Sequence, residues 1–247
     1  MSIVEEAADL IEQKYQELGY QIGWRFLNCS ATVLTARPSI ALVTANPGGD
    51  RIETDHPSLS CEFGHSYTSE RWGNSEPGAS PLQVQLQKLF ELLANISGLA
   101  SDGTTLLEQS LAGYYIPFRS PRLSDLPNAA EARSVGRTIW GNVLNATKPG
   151  LLISIDRDTF KELGTLITEV YGLHLTDTTT FSTGWGKYTA DVADYGDGKV
   201  RLVRLPHLST FKLFSRSDCR PHLDEILSYA CDPIRVARRR GGLWDDD

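Results

Sequence analysis

The sequence predicts an α/β protein of three layers, with a central, mostly parallel four-stranded sheet between helices and one inserted hairpin. Apolar strand-like runs alternate with helix-periodic segments along most of the chain, an order that calls for right-handed crossovers and parallel strands. The run "SIALVTA" is continuously apolar, as a strand buried on both faces must be. With 247 residues, about 40% of them apolar, the chain is long enough to bury a core as one domain over 1–247, with 172–198 as an insertion and 235–247 as a tail.

The elements follow in order. Val4, Ala7, Ile11, Tyr15 and Leu18 recur at helical spacing between a capping Ser2 and Gly19, which ends the first helix. "ATVLTA" and "SIALVTA" are expected as strands. In "SPLQVQLQKLFELLANISG", Ser80 caps, Pro81 takes the first helical position, Leu82, Leu86, Leu89, Leu93 and Ile96 share a face, and Gly98 follows the end. "SLAGYYIP" reads as a strand, 127–147 as a helix carrying Val135, Ile139, Val143 and Leu144, "LLISI" as a strand and 158–171 as a helix. The Thr-, Gly- and Tyr-rich stretch 172–198 reads as an inserted hairpin turning at "GDGK". "VRLVRLPHL" is the last sheet strand, and 221–231 the closing helix.

Composition excludes several classes. The acidic N-terminus "MSIVEEAADLIEQKYQELGY" is neither a signal peptide nor a membrane span, so the protein is expected to be cytoplasmic and without a membrane partner; separately, a monomer is expected. Cys29, Cys61, Cys219 and Cys231 lack metal-ligand spacing, which argues for reduced thiols and against zinc, an iron-sulfur cluster or any other metal or cofactor. A net charge of −7 excludes a uniformly basic nucleic-acid coat but permits a local basic face. Arg235, Arg238, Arg239 and Arg240 form such a cluster beside "WDDD", equally readable as a solvated chain end.

Two loops carry the chemistry. In "VTANPGGDRIETDHPS" a buried strand breaks into Asn-Pro-Gly-Gly, which is neither G-x-G-x-x-G nor a P-loop. There Asn46 is aimed from the strand's carboxyl end, Pro47 fixes the turn, and Gly48 and Gly49 let main-chain amides approach a ligand. In "RLPHLSTFKLFS", His207 and Ser209 follow the last sheet strand.

With the intervening "YYIPFRSPRLSDLPNAAEARSVGRTIWGNVLNATKPGLLISI", these stretches resemble the uracil-DNA glycosylase superfamily over roughly residues 38–160 and 200–230. That family's first motif is a Gly/Asn-Pro-Gly loop and its last a His-Pro-Ser loop. The chain resembles a divergent member lacking the iron-sulfur cysteines of the subgroup it is most similar to. "HPSLS" at His56 matches the last motif letter by letter, but it falls just after Asn46, whereas the family's His loop follows the last strand; His207 is therefore the motif histidine and His56 a pocket residue.

The resemblance implies a monofunctional DNA glycosylase acting on DNA. Asn46 would orient the attacking water, and His207 would donate to charge building on the departing base. No lysine nucleophile sits in either motif, so no strand-cutting lyase step is expected. A base pocket is implied at Pro47, Asp55, His56, Phe63, Tyr67, Tyr114 and Tyr115, with Phe63 or Tyr67 as a stacking platform or as plain packing. Gly48, Gly49, Arg119, Ser209, Thr210 and Lys212 are expected at DNA, with Leu208 or Phe211 either wedging into the stack or packing in the core. The family's base-reading Asn is replaced by Tyr114 or Tyr115, which implies a larger modified pyrimidine, such as glucosylated hydroxymethylcytosine of phage DNA in a defence role. The Thr-rich insertion would then offer hydroxyls to a sugar-like substituent. The alternatives are a uracil or mismatch repair glycosylase, a non-catalytic modified-DNA-binding module, and a hydrolase of free nucleosides.

Overall fold

A computed structural model of the chain describes residues 2–52 and 58–240, with the backbone alone over 235–240. Its sheet has six strands: β1 (Ile40–Thr44), β2 (Leu111–Tyr114), β3 (Leu151–Ser154), β4 (Leu175–Ser182), β5 (Thr189–Tyr195) and β6 (Val200–Arg204), in the spatial order β2-β1-β3-β6-β5-β4. The first four in that order are mutually parallel. β5 runs antiparallel to both β6 and β4. All five residues of β1 and all four of β3 are buried, as the uninterrupted apolar runs require.

The expected four-stranded sheet is thus a six-stranded mixed one. "GDGK" does not turn the hairpin; it joins β5 to β6, and so tight a reversal forces β5 to pair antiparallel with the strand that follows. The hairpin itself turns through residues 183–188. Its outer strand β4 carries no apolar pattern because it lies at the sheet edge with six of its eight residues exposed.

Helices flank the sheet: α1 (Ile3–Glu17), α2 (Ser66–Ser69), α3 (Pro81–Ser97), α4 (Gly103–Glu108), α5 (Ala129–Thr147), α6 (Arg157–Tyr171), α7 (Leu208–Phe211) and α8 (Arg220–Arg240). Ser2 with Glu5, and Ser80 with Gln83, form reciprocal capping boxes at α1 and α3, and Gly98 ends α3 in the left-handed region. Three expectations need correction. "ATVLTA" is a 3₁₀ turn over Ala31–Thr35, because the Ser30 hydroxyl accepts from the Thr32 amide and closes the chain locally. The segment after His207 is one helical turn, α7, and not an open loop. The closing helix runs beyond 231 to Arg240, through Pro233.

After β1 the chain crosses to β2 on one side, then reverses and places β3 on the other. With right-handed crossovers this reversal sends α3 and α5 to opposite faces of the sheet. Accordingly α5 packs with α1 and α6, while α3 packs with α4, α7 and α8. Trp140, Phe26 and Phe90 are among the largest fully buried side chains of a continuous apolar core. Among the described residues no helix is long and apolar enough to cross a membrane.

Candidate active site

Where the strand order reverses, the carboxyl ends of β1 and β3 diverge and leave a crevice, the usual ligand position in an open α/β sheet. A cavity of about 660 Å³ occupies it, within the ~300–1,000 Å³ usual for small-molecule sites. Asn46 after β1, Tyr114 at the end of β2, Asp156 after β3 and His207 after β6 all line it. Four parallel strand ends therefore deliver four polar side chains to one place.

Asn46 is held in a single orientation. Its Nδ2 reaches the carbonyl oxygens of Pro47 (3.1 Å), Ser120 (3.4 Å) and Phe118 (3.5 Å) and the Ser120 hydroxyl (2.9 Å). Carbonyl oxygens only accept, so the amide nitrogen must face them. Ser120 in turn donates its hydroxyl proton to the Arg122 carbonyl at 2.9 Å. The donor end of Asn46 is thus consumed, and its carbonyl Oδ1 is the end left for the cavity. The loop beyond is equally constrained: Gly49 has φ +106°, a conformation that side chains resist, and an added Cβ would stand 3.2 Å from the Arg119 guanidinium. Arg119 donates to the Gly48 carbonyl, binding the first loop to the segment after β2.

Asp156 divides its carboxylate between two tasks. Oδ1 caps α6 by accepting from the Thr159 amide at 2.7 Å. Oδ2 is buried without a hydrogen-bond partner in the cavity wall. Burial raises the pKa of Asp156, against the pull of the Thr159 amide and, more weakly, of His207. His207 stands at the solvent-exposed rim with Nδ1 2.9 Å from the Ser209 hydroxyl. Partial burial lowers its pKa and Asp156 pulls the other way, so the imidazole is neutral near pH 7. When Ser209 is the donor to Nδ1, the neutral ring carries its proton on Nε2, facing away from Ser209.

The walls come from segments without a sequence signal. Arg25 forms a bidentate ion pair with Glu70, both contacts at 2.6 Å, and the Trp72 indole donates to the same carboxylate at 3.1 Å. Arg25, Trp72 and Leu82 line the cavity beside Tyr114, and Arg51, Arg119 and Arg122 stand around it.

Of the remaining sequence-derived candidates, Pro47, Gly48 and Gly49 line the cavity. Tyr115 does not: its hydroxyl bonds Glu162 at 3.0 Å, and it is absent from the cavity walls. Phe63 is 94% exposed and away from the cavity. Tyr67 is buried behind it, accepting from the Asn28 amide at 3.1 Å and packing edge-on against Trp72 with centroids 5.5 Å apart. Leu208 is fully buried in the core, whereas Thr210 and Lys212 are exposed on α7 and just after it. Phe211 faces a neighbouring groove, its ring 4.2 Å from that of Tyr188. Asp55 and His56, and the side chains of Arg235, Arg238, Arg239 and Arg240, lie outside the described residues.

Sequence reasoning missed Asp156, Ser120, Arg25 and Trp72. The positional logic that found Asn46 and His207 would have found Asp156, since it directly follows "LLISI"; the other three carried no signal. All four cysteines are buried, and among the described residues no group of His, Cys, Asp or Glu side chains is arranged to hold a metal. The chain matches no protein-family model and no curated protein.

Proposed function

We propose that this protein is a monofunctional DNA glycosylase that flips a modified pyrimidine out of DNA and hydrolyses its N-glycosidic bond. One observation carries the reading: Asn46 and His207, far apart in sequence, converge on a single cavity at the carboxyl ends of the sheet, with the unpartnered oxygen of Asp156 in its wall.

The chemistry divides among these three. As the glycosidic bond breaks, its electron pair leaves with the base, and the Nε2 proton of His207 meets the negative charge developing on the base. Such a preorganised donor is worth about 3–4 kcal/mol. Positive charge develops on the sugar, and the Asp156 carboxylate stabilises it. The Asn46 carbonyl accepts a hydrogen bond from the attacking water and holds it in line. The proton that water loses on bonding to C1′ passes to Asp156, which an amide could not accept. Trp72 and Tyr114 bound the space for a flipped base, and the surrounding arginines suit the phosphates on either side.

The substrate follows from Tyr114 and the cavity's size. An amide reading the base edge would favour uracil, but the end of β2 presents a phenol, and about 660 Å³ leaves room for a substituent. A hypermodified cytosine such as glucosylated hydroxymethylcytosine of phage DNA fits this reading, with a role in defence. The Thr-rich face of β4 is at the far sheet edge and takes no part in it.

The test is mass-spectrometric base release from DNA containing uracil, mismatched thymine, hydroxymethylcytosine or its glucosylated form. Release from a modified-cytosine substrate is expected, with alkali-labile abasic sites left behind. Asn46→Ala and His207→Ala should each slow it by about 10²–10³. Release of uracil alone would make this a repair enzyme, and rates unchanged in both variants would refute the site.

A further inference from the structure

A second cavity of about 430 Å³ adjoins the first, sharing Ile155, Asp156 and His207 with it. It runs from the His207 rim to the tip of the β4–β5 hairpin, a segment to which the catalytic reading gives no task. Its walls combine aromatic rings and cations: Tyr188 and Phe211 lie together with centroids 4.2 Å apart, and Arg157, Lys187 and Arg204 surround them. Arg204 is bound to Asp191 at 2.6 Å, while Lys187 is exposed at the tip. On a chain of net charge −7 this is a local basic surface.

The tip is fixed in place. Gly184 has φ +75°, and a Cβ there would meet the His222 ring at 2.5 Å and the Asp218 carbonyl at 2.8 Å, so the turn sits hard against the start of α8. Arg216 stacks over Trp185 at 3.5 Å and donates to the Phe211 carbonyl at 2.9 Å, joining the tip to α7. Yet Trp185 and Tyr188 remain 39% and 38% exposed. Two aromatic rings are therefore held half in solvent beside cations, at a constant position relative to His207.

We propose that this groove is a subsite for the DNA strand adjoining the flipped nucleotide. A flanking base lies against the Tyr188–Phe211 pair, and the phosphates next to it meet Lys187 and Arg157. Aromatic platforms alternating with cations are how a nucleic-acid strand is gripped without reading its sequence. The assignment rests on the glycosylase reading for the position of the flipped nucleotide.

The experiment is fluorescence anisotropy of the full-length protein with a short labelled DNA, single-stranded and duplex, across salt concentrations. Thermal melting of every variant checks its fold. Tyr188→Ala should weaken binding roughly tenfold, the effect of losing one stacked base. Lys187→Ala should also lower the slope of log affinity against log salt by about one phosphate contact. Phe63→Ala, an exposed aromatic outside the groove, should change neither. If the wild type binds DNA and both groove variants bind as well as it does, or if the wild type binds no DNA, the subsite is overturned. Weakened binding in the groove variants with no base released from any substrate would keep the subsite and discard the glycosylase. Base release with unaffected binding would do the reverse.

Discussion

Asp156 meets two demands with one carboxylate, and the two can be separated by a single atom exchange. An Asn caps a helix as well as an Asp does, so Asp156→Asn keeps the bond to the Thr159 amide and removes only the charge. The expected result is an unfolding temperature close to wild type with base release slowed about 10²-fold or more; an unchanged rate would reduce Asp156 to a cap. In the proposed reaction Asp156 must be deprotonated to accept the water's proton, and burial holds its pKa above its ordinary 3.8. Activity should hold as pH falls from 7 and be lost along an acid limb as Asp156 takes up a proton. A pH profile of kcat/KM measures this, and a loss centred above pH 7 would contradict it. Ser120 and Asn46 make the same point about orientation: three carbonyl oxygens leave the amide one arrangement.

At the scale of elements, the segment leading into α3 is secured by a side-chain device. Arg25 and Glu70 are 3% and 9% exposed in their side chains, and removing one partner of a buried ion pair strands the other. Glu70→Gln should therefore cost about 3–5 kcal/mol in denaturant unfolding and loosen Trp72; a cost below about 1 kcal/mol would show that water replaces the carboxylate freely. Such devices explain what the sequence could and could not reveal. Helices with local signals, such as Ser80-Pro81 before α3, and strands with unbroken apolar runs were legible, as were Asn46 and His207 at strand ends. "ATVLTA" was misread because six small and branched residues suit a strand equally well, until the Ser30 hydroxyl decides for a turn. β4 hid its pairing because an edge strand need not be apolar. Arg25 and Ser120 were illegible because their meaning lies in partners remote along the chain, Glu70 and Asn46.

For the molecule as a whole, stability should depend on acid through His65. Its ring is fully buried and accepts from the Tyr67 amide at 3.2 Å. Burial foremost, and Arg25 beside it, push its pKa down to about 3. In the unfolded chain it titrates near 6.5. Between these values the unfolded state binds a proton that the folded state refuses, so stability falls as pH drops from about 6.5 toward 3. Unfolding free energies measured over that window should decline less steeply in His65→Asn; equal slopes would place the acid sensitivity elsewhere. The strand order carries a different consequence. β6 is the last strand in the chain, yet it stands between β3 and β5, made earlier. Until it enters, the sheet is two unjoined halves, and His207, which follows it directly, has no crevice to face. On a ribosome-bound nascent chain the crevice therefore stays incomplete until β6 and the residues directly after it have emerged.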